Sequence, residues 1–454
     1  MFKVDQVPWK ERISYGLADT ASNLIFVMVS TYLLYFYTDV FGIGAGVVGT
    51  LFLIVRFLDA GTDLFAGYVI DRTSTKWGKF RPYFLWMCLP FAILGVIAFL
   101  TPDLSTEGKI WYAYSTYILL GLAYTFINIP LSAMLPSMSN NPQERHEVTS
   151  IRLIFGQIGG FIVSVFTLPL VSFFGDGNEA RGFALTMTLF GIIAIPMFIN
   201  AFKNTTERQY YKTQEVVPLK EGMRAFNLPW LIIFISKMAF FFIFIIRNQS
   251  TVYFVQYNFG RQDIVPIVMG LNYLTIVALL LIPFFTKRFG GKGTMQLGII
   301  IGIIGSLIIY GATLLSSIPL LYLGVGIGSI GLGLIPSLLF SLIADTIDYG
   351  EWKSGVRANG LLYSGSTFAA KFGMGIGGAA GAWMLAFGNY VPNADSQSAS
   401  ALSAIEFSYI WFPVISFTLV LILLQFYKLD KMHPQIVADL KERNGEIEEV
   451  TAKN

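Results

Sequence analysis

The stretch VRFLDAGTDLFAGYVIDRTSTKWGKFR, Val55–Arg81, sets the architecture of this chain. Its first half is apolar enough to cross a bilayer, yet it carries Arg56, Asp59 and Asp63. On a helix these positions, i, i+3 and i+7, share one face. A charge at mid-bilayer costs at least about 2.5–3.5 kcal/mol, so three of them must face a polar interior. The second half, Asp71–Arg81, is a basic turn of the kind found in the cytoplasm. The stretch therefore predicts a membrane helix that carries a cation site.

The composition is that of an integral membrane protein. Hydrophobic residues make up 54% of the chain and charged residues 13%, whereas soluble domains carry about 25% charged residues. The net charge of +3 is small, which predicts no nucleic-acid partner. One cysteine and two histidines leave little scope for a metal cluster or a nucleophile–base pair. We therefore expect a lipid-embedded protein that is not an enzyme and has no cofactor.

The apolar runs predict an all-α integral membrane fold with twelve transmembrane helices. Each run is long enough for the roughly 20 residues that cross a bilayer. The predicted spans are 14–38, 45–70, 83–101, 110–134, 149–174, 182–202, 230–258, 263–286, 293–313, 318–344, 358–387 and 405–427.

A weak internal symmetry divides the chain into two halves. Each half has a basic turn after its second span and a cation in its fifth span, Arg152 in the first half and Lys371 in the second. Such repeats are typical of transporters built from two bundles. The predicted domains are an N-terminal six-helix bundle (1–202), a middle loop (203–229), a C-terminal six-helix bundle (230–427) and a charged tail (428–454), which we expect to form a short surface helix.

Lys and Arg concentrate in the loops on one side of the predicted membrane, including the loop that joins the two halves. Because positive loops stay in the cytoplasm, we expect both termini there, in a multi-pass protein of the cell membrane.

Two carboxylates one turn apart, Asp59 and Asp63, can hold a small cation such as Na⁺ between them. They can also share a proton, because both cannot stay ionised cheaply at this separation. The alternative is a static salt bridge from Arg56 that locks helices together. We favour the ion site, because one guanidinium cannot neutralise two acids.

Further polar residues inside the spans are candidates for a solute site. Asp19 and Asn23 share one face of the first span. The fourth span carries a polar stripe at helical spacing, of which Tyr124, with a flat ring suited to a sugar, and Asn128 are the main candidates.

Cations buried deep in the spans are costly, so they also mark sites. Arg152, Arg247 and Lys371 are such cations, and Lys371 shares a face with Thr367. Lys237 lies nearer the predicted cytoplasmic end; we expect it to snorkel and leave it out of the site.

Five motifs distributed over both halves resemble the glycoside–pentoside–hexuronide:cation symporter family, a branch of the major facilitator superfamily. They are YTDVFG (Tyr37–Gly42), VGTLFLIVRFLDAGTD (Val48–Asp63), DRTSTKWGKFRP (Asp71–Pro82), YTFINIP (Tyr124–Pro130) and ADTIDYGEWKSGVR (Ala344–Arg357). The resemblance implies twelve helices in two pseudo-symmetric bundles, alternating access, and a sugar site at the bundle interface.

The resemblance also implies roles for individual residues. In the melibiose carriers of that family the cation site includes positions matching Asp59, Asp63 and Thr125, with an Asn where this chain has Thr62. The sugar site there includes positions matching Asn23, Tyr124, Asn128, Arg152, Thr367 and Lys371.

Two departures from the melibiose carriers bear on the substrate. Those carriers have acids where this chain has Asn23 and Asn128, which argues against melibiose and puts sodium coupling in doubt. The acid at position 19, Asp19, instead resembles the xyloside and glucuronide branches of the family. The arginine at position 247, Arg247, resembles that of some xyloside carriers.

These observations predict a secondary active symporter that imports a small glycoside, with a pentoside or xyloside favoured, together with H⁺ or Na⁺. The alternative is a carrier of an anionic sugar, a glucuronide or a sulfonated sugar, with Arg247 binding the anionic group. A more remote alternative is a sugar sensor that does not transport. We expect the protein to act as a monomer.

Overall fold

The computed structural model describes residues 6–139, 141–208, 219–394 and 396–452. These residues are almost entirely helical, and no β-strand forms among them. The α-helices are α1 (Trp9–Tyr35), α2 (Ala45–Arg72), α3 (Arg81–Ala98), α4 (Thr106–Met138), α5 (Pro142–Gly175), α6 (Glu179–Asn204), α7 (Leu219–Gly222), α8 (Leu228–Tyr253), α9 (Val265–Leu271), α10 (Thr275–Leu315), α11 (Ile318–Gly333), α12 (Ile335–Ser354), α13 (Asn359–Phe387), α14 (Ala399–Glu406), α15 (Phe412–Gln425) and α16 (Leu429–Ala452).

Ten helical stretches among the described residues are long and apolar enough to cross a membrane. This finding confirms a multi-pass, all-helical membrane protein. The count of twelve crossings remains a prediction. The 41-residue α10 is longer than one crossing needs, and Gly290, with φ 72° and ψ 177°, breaks its helical geometry. The predicted spans 263–286 and 293–313 lie on either side of that glycine.

Several membrane helices end in a wider turn. The π-helices Phe36–Val40 and Phe254–Asn258 continue α1 and α8, and Phe407–Trp411 joins α14 to α15. The first of these places Thr38 and Asp39 at the end of α1, where both side chains are buried. The charged tail forms α16, which confirms the predicted helix.

The helices cluster into two compact units. The first unit comprises Met1–Gln214, Asn248–Gly270 and Gly378–Ile405. Within it α1 packs against α5 and α6, α3 packs against α4 and α6, and α2 packs against α4. At one α1–α5 contact a Cβ on Gly159 would lie 2.8 Å from the Thr20 carbonyl oxygen, so only glycine permits this approach.

The second unit comprises Glu215–Arg247, Leu271–Gly377 and Glu406–Asn454. Its α10 and α11 meet backbone to backbone, because a Cβ on Gly305 would lie 2.5 Å from the Gly328 Cα atom. The first unit includes residues from both sides of the 203–229 loop, whereas the second unit begins within that loop. The division into two six-helix bundles remains a prediction, and residues 209–218 of that loop lie outside the described ranges.

The basic turn before α3 is held by one carboxylate. Glu207 accepts hydrogen bonds from the backbone N–H groups of Lys79, Phe80 and Arg81 at 2.9, 2.8 and 2.9 Å. These N–H groups lie at the start of α3, where the helix has no internal acceptors for them. Gly78, at φ 108°, allows the backbone to turn against the Glu207 carboxylate.

The second unit contains a matching arrangement. Asp430, at the start of α16, accepts a hydrogen bond from the Lys292 N–H at 2.9 Å. A Cβ on Gly290 would lie 3.1 Å from the same carboxylate oxygen. A glycine at positive φ and an acid from later in the sequence therefore fix the turn in both units.

Candidate functional site

The paired acids of α2 have different partners. Arg56 Nη1 donates to Asp59 Oδ2 at 3.1 Å, and both side chains keep about a fifth of their surface exposed. The salt bridge from Arg56 that was considered as the alternative therefore forms with Asp59, within α2 itself. Asp63 instead accepts a hydrogen bond from Thr125 Oγ1 of α4 at 3.2 Å.

Helix α4 approaches both acids of α2. Thr125 is buried at 6% exposure, and one turn before it a Cβ on Gly121 would lie 3.1 Å from Asp59 Oδ1. Thr62 donates its hydroxyl to the Asp59 carbonyl oxygen of its own helix at 3.1 Å. The arrangement gathers carboxylate and hydroxyl oxygens, the ligand types that hard cations prefer.

A second polar group of the first unit joins α1 to α5. Arg152 Nε donates to Asp19 Oδ1 at 3.0 Å, and Asp19 is 8% exposed. A Cβ on Gly156, one turn after Arg152, would overlap the other carboxylate oxygen of Asp19. Both charged residues are sugar-binding candidates from the sequence, and the structure brings them together.

The Arg152 guanidinium is surrounded by hydroxyl groups. The Tyr15 hydroxyl lies 3.4 Å from Nη1, and Ser132 Oγ lies 3.5 Å from Nη2. Tyr15 itself is fully buried and donates to the Leu131 carbonyl oxygen. The group can therefore offer both donors and acceptors to a polar solute.

The two asparagines adjoin this pair. Asn23 Nδ2 donates to the Asp19 carbonyl oxygen at 2.9 Å, within α1. Asn128 Nδ2 lies 3.0 Å from Ser22 Oγ of α1 and 3.2 Å from the Tyr124 carbonyl oxygen. These contacts use the amide nitrogen atoms, and an amide oxygen can accept from a hydroxyl group.

The Tyr124 ring stacks on Phe26 of α1, with centroids 5.0 Å apart and planes at 20°. One face of this predicted sugar platform is thus covered by Phe26. Tyr124 immediately precedes Thr125, so consecutive residues of α4 contact Phe26 of α1 and Asp63 of α2.

The sugar-binding candidates of the second unit differ in their exposure. Thr367 and Lys371 lie on an exposed face of α13, and the Thr367 hydroxyl donates to the Tyr363 carbonyl oxygen at 3.1 Å. Arg247 is buried at 4% exposure, with Cζ 5.3 Å from the Tyr409 ring centroid.

The expectation that Lys237 snorkels is wrong. Lys237 is 1% exposed, its Nζ donates to Ser366 Oγ of α13 at 2.7 Å, and it lies 3.9 Å from the Phe340 ring centroid.

A buried carboxylate at the end of α1, Asp39, is not among the candidates that the sequence suggested. Asp39 accepts from Thr38 Oγ1 at 2.6 Å, from the Tyr390 hydroxyl at 2.5 Å and from the Tyr257 hydroxyl at 3.2 Å. Asn393 Nδ2 donates to its carbonyl oxygen at 2.6 Å. Burial, and then the neighbouring Asp39 charge, raise the pKa of Tyr390, so that phenol stays a donor. Only the motif YTDVFG pointed to this position.

Outside the membrane spans, Glu144 and Arg12 form a salt bridge at 2.9 Å. Burial alone would raise the pKa of Glu144, but hydrogen bonds from Ser139, the Val7 N–H and Arg12 outweigh it and lower the pKa below its ordinary value of 4.5. The contact ties the segment before α1 to the start of α5.

No group of three or more His, Cys, Asp or Glu side chains suited to a metal ion occurs in the part of the chain that the structure describes.

Comparison with known proteins agrees with this architecture. Residues 14–431 match the family model described as MFS/sugar transport protein. The isoprimeverose transporter of Lactiplantibacillus pentosus is 43% identical over 447 residues, covering 97% of this chain and 93% of the relative. The uncharacterized symporter YnaJ of Bacillus subtilis (strain 168) is 37% identical, covering 97% and 96%. A glucuronide carrier protein homolog of Escherichia coli (strain K12) is 30% identical, covering 96% of each chain.

Among solved structures, a bacterial homolog of the human lysosomal transporter Spinster, in an inward-facing and unoccupied conformation, superposes with a TM-score of 0.68. It covers 94% of this chain and 98% of that one at 14% identity, which shows the fold alone. The chain belongs to the MFS/sugar transport protein family of membrane transporters and is not an enzyme.

Proposed function

We propose that this protein is a secondary active symporter that imports a small glycoside, of the pentoside or xyloside type, together with H⁺ or Na⁺. The observation that carries the proposal is the contact pattern of α4. Thr125 donates to Asp63, while the residue before it, Tyr124, stacks on α1 beside the Asp19–Arg152 pair. The name of the isoprimeverose transporter supports a small glycoside as the substrate class.

In this proposal the sugar binds at the Asp19–Arg152 pair. A sugar hydroxyl both donates and accepts, so it can donate to the carboxylate and accept from the guanidinium. Asn23 and Asn128 add amide groups on the same side of α1 and α4. Thr367, Lys371 and Arg247 of the second unit remain predicted contributors.

The coupling cation binds at Asp63 and Thr125, with Asp59 and Thr62 completing the group. Because Arg56 pairs with Asp59, its charge offsets one of the two carboxylates. Asp63 is the carboxylate at which we place the Na⁺ or proton, and a bound cation lowers the cost of holding this acid within the membrane.

Cation binding and sugar binding are coupled in this proposal because both sites include residues of α4. A cation that draws Thr125 toward Asp63 also moves Tyr124, and with it the carbonyl group that holds Asn128. Linkage then requires that cation and sugar raise each other's affinity equally. We also propose that the protein acts as a monomer in the cell membrane with both termini in the cytoplasm; the distribution of basic residues supports this orientation.

Uptake into proteoliposomes tests this proposal. A panel of labelled glycosides, measured by counterflow with and without sodium and across pH, identifies the sugar and the ion. Asp63→Asn should then abolish accumulation driven by the ion gradient. Asp176→Asn, the same change in an exposed loop, should leave accumulation intact. Undiminished accumulation by the Asp63 variant would defeat the cation assignment.

A second candidate, an anionic sugar, is favoured by the glucuronide carrier protein homolog among the relatives. The burial of Arg247 beneath Tyr409 gives it less support from the structure. Competition of a glucuronide against a neutral xyloside in the same uptake assay separates the two substrate classes.

A further inference from the structure

Within the second unit, the parts of α8 before Asn248 and of α13 before Gly378 meet along a seam of small residues. A Cβ on Gly373 would overlap the Met238 carbonyl oxygen, and one on Gly377 would lie 2.6 Å from the Phe242 carbonyl oxygen. Without side chains at these positions the backbones approach closely. Glycines also leave no interlocking side chains there, so this part of the seam does little to resist rotation of α13.

One polar contact crosses the seam between two buried side chains. Lys237 of α8 and Ser366 of α13 are each 1% exposed, and Nζ donates to Oγ at 2.7 Å. Phe340 of α12 covers the ammonium group. No carboxylate of the described chain lies within ion-pair distance of Lys237. A cation at such depth is costly, so the hydroxyl and the ring must stay in place to satisfy it.

We propose that Lys237 is a positioning residue that fixes the rotation of α13 through Ser366. Thr367 follows Ser366 directly, and Lys371 lies one turn further on the exposed face. Rotation of α13 would turn both of these side chains away from their present directions. The inference rests on the proposed function, in which Thr367 and Lys371 contribute to sugar binding.

A second hydrogen bond joins α8 to α13 and should preserve the fold when the Lys237–Ser366 hydrogen bond is removed by mutation. Trp230 Nε1 of α8 donates to the Leu362 carbonyl oxygen at 3.2 Å, one turn before Ser366. A Cβ on Gly365 would lie 2.8 Å from the Trp230 ring, so the two helices stay in contact at that point. Loss of the Lys237–Ser366 contact should therefore loosen α13 rather than detach it.

The test measures binding of p-nitrophenyl β-xyloside to the full-length protein in detergent. Lys237→Met and Ser366→Ala should each weaken binding about tenfold, the loss expected for one hydrogen bond to a charged group. The double variant should bind no more weakly than the single ones, and transport at saturating probe should stay within about twofold of wild type.

Ser236→Ala is the matched control, because Ser236 is also 1% exposed but donates to the Ile232 carbonyl oxygen of its own helix. Unchanged affinity in Ser366→Ala, or independent losses that add in the double variant, would overturn the positioning role. If Lys237→Met does not fold, Ser366→Ala decides alone. Lys371→Ala separates the two proposals: unchanged affinity in this variant defeats the sugar-binding role of α13 itself.

Discussion

Thr125 of α4 donates its hydroxyl to Asp63 of α2 at 3.2 Å, across 62 positions of the sequence. This bond links the helix that carries the two acids to the helix that carries Tyr124 and Asn128. Any ion that competes for the Asp63 carboxylate must displace or share this hydroxyl. The occupancy of the acid and the position of α4 therefore depend on each other.

The first prediction concerns the Thr125 hydroxyl. Thr125→Val keeps the shape of the side chain and removes one oxygen, so the coupling cation should bind about tenfold more weakly. Sugar binding without the cation should change little. The measurement is the cation concentration or pH that half-maximally stimulates sugar binding.

The control for this experiment is Thr116→Val. Thr116 lies on the same helix at the same 6% exposure, but its hydroxyl donates to the Tyr112 carbonyl oxygen of its own helix. An equal weakening of cation binding in both variants would show that Thr125 has no special part in the site.

The second prediction concerns the charge pair of the first unit. Arg152→Met leaves the buried Asp19 carboxylate without its cation, which should lower the free energy of unfolding by about 3–5 kcal/mol. Combining Asp19→Asn with Arg152→Gln should restore much of that stability, because no uncompensated charge remains. Thermal unfolding in detergent measures the stability, and uptake should be lost in both proteins. A single variant as stable as wild type would contradict the pairing.

The third prediction concerns the space next to Asp19. Gly156→Ala places a methyl group against the Asp19 carboxylate, so it should displace the acid from Arg152 and cost about 1–3 kcal/mol of stability. Sugar affinity should fall with it.

Gly67→Ala provides the comparison for Gly156, since nothing lies within 4 Å of a Cβ at Gly67. Alanine there should stabilise α2 by about 0.5–1 kcal/mol. Normal sugar affinity in Gly156→Ala would show that the carboxylate can move without loss of function.

The fourth prediction concerns pH. Because the pKa of Glu144 is lowered in the folded protein, its contribution to stability is present above its ordinary value of 4.5. The contribution is lost as the pH falls below that value and through the lowered pKa. Glu144→Gln should therefore reduce stability near neutral pH. The stability of this variant should also fall less steeply as the pH is lowered. The melting temperature, followed from neutral pH to about pH 3, measures both effects. Parallel curves for the two proteins would rule this contribution out.

The helices could be predicted from the sequence because the bilayer fixes their length and composition. Gly156 and Gly159 let α1 approach α5 closely, because neither glycine carries a side chain at the contact. The ion pairs between helices could not be predicted from the sequence. Asp19 and Arg152 are 133 residues apart, and each could have paired with charged residues on other helices.

Two residues show where depth along a single helix misleads. Lys237 was judged from its distance to the end of α8, but its burial is decided by Ser366 and Phe340 on other helices. Asp39 lies at the edge of its span, where a carboxylate is unremarkable in the sequence. Its tyrosine partners come from segments more than 200 residues away.

The cap that Asp430 provides for the turn at Gly290 has a practical meaning for engineering. A chain shortened before α16 would lose the acceptor of the Lys292 N–H group, and with it the support of a turn far upstream. Fusion partners should therefore be attached after the last helix rather than in place of it, and deletion of this terminus is expected to reduce yield and heat resistance even though it crosses no membrane.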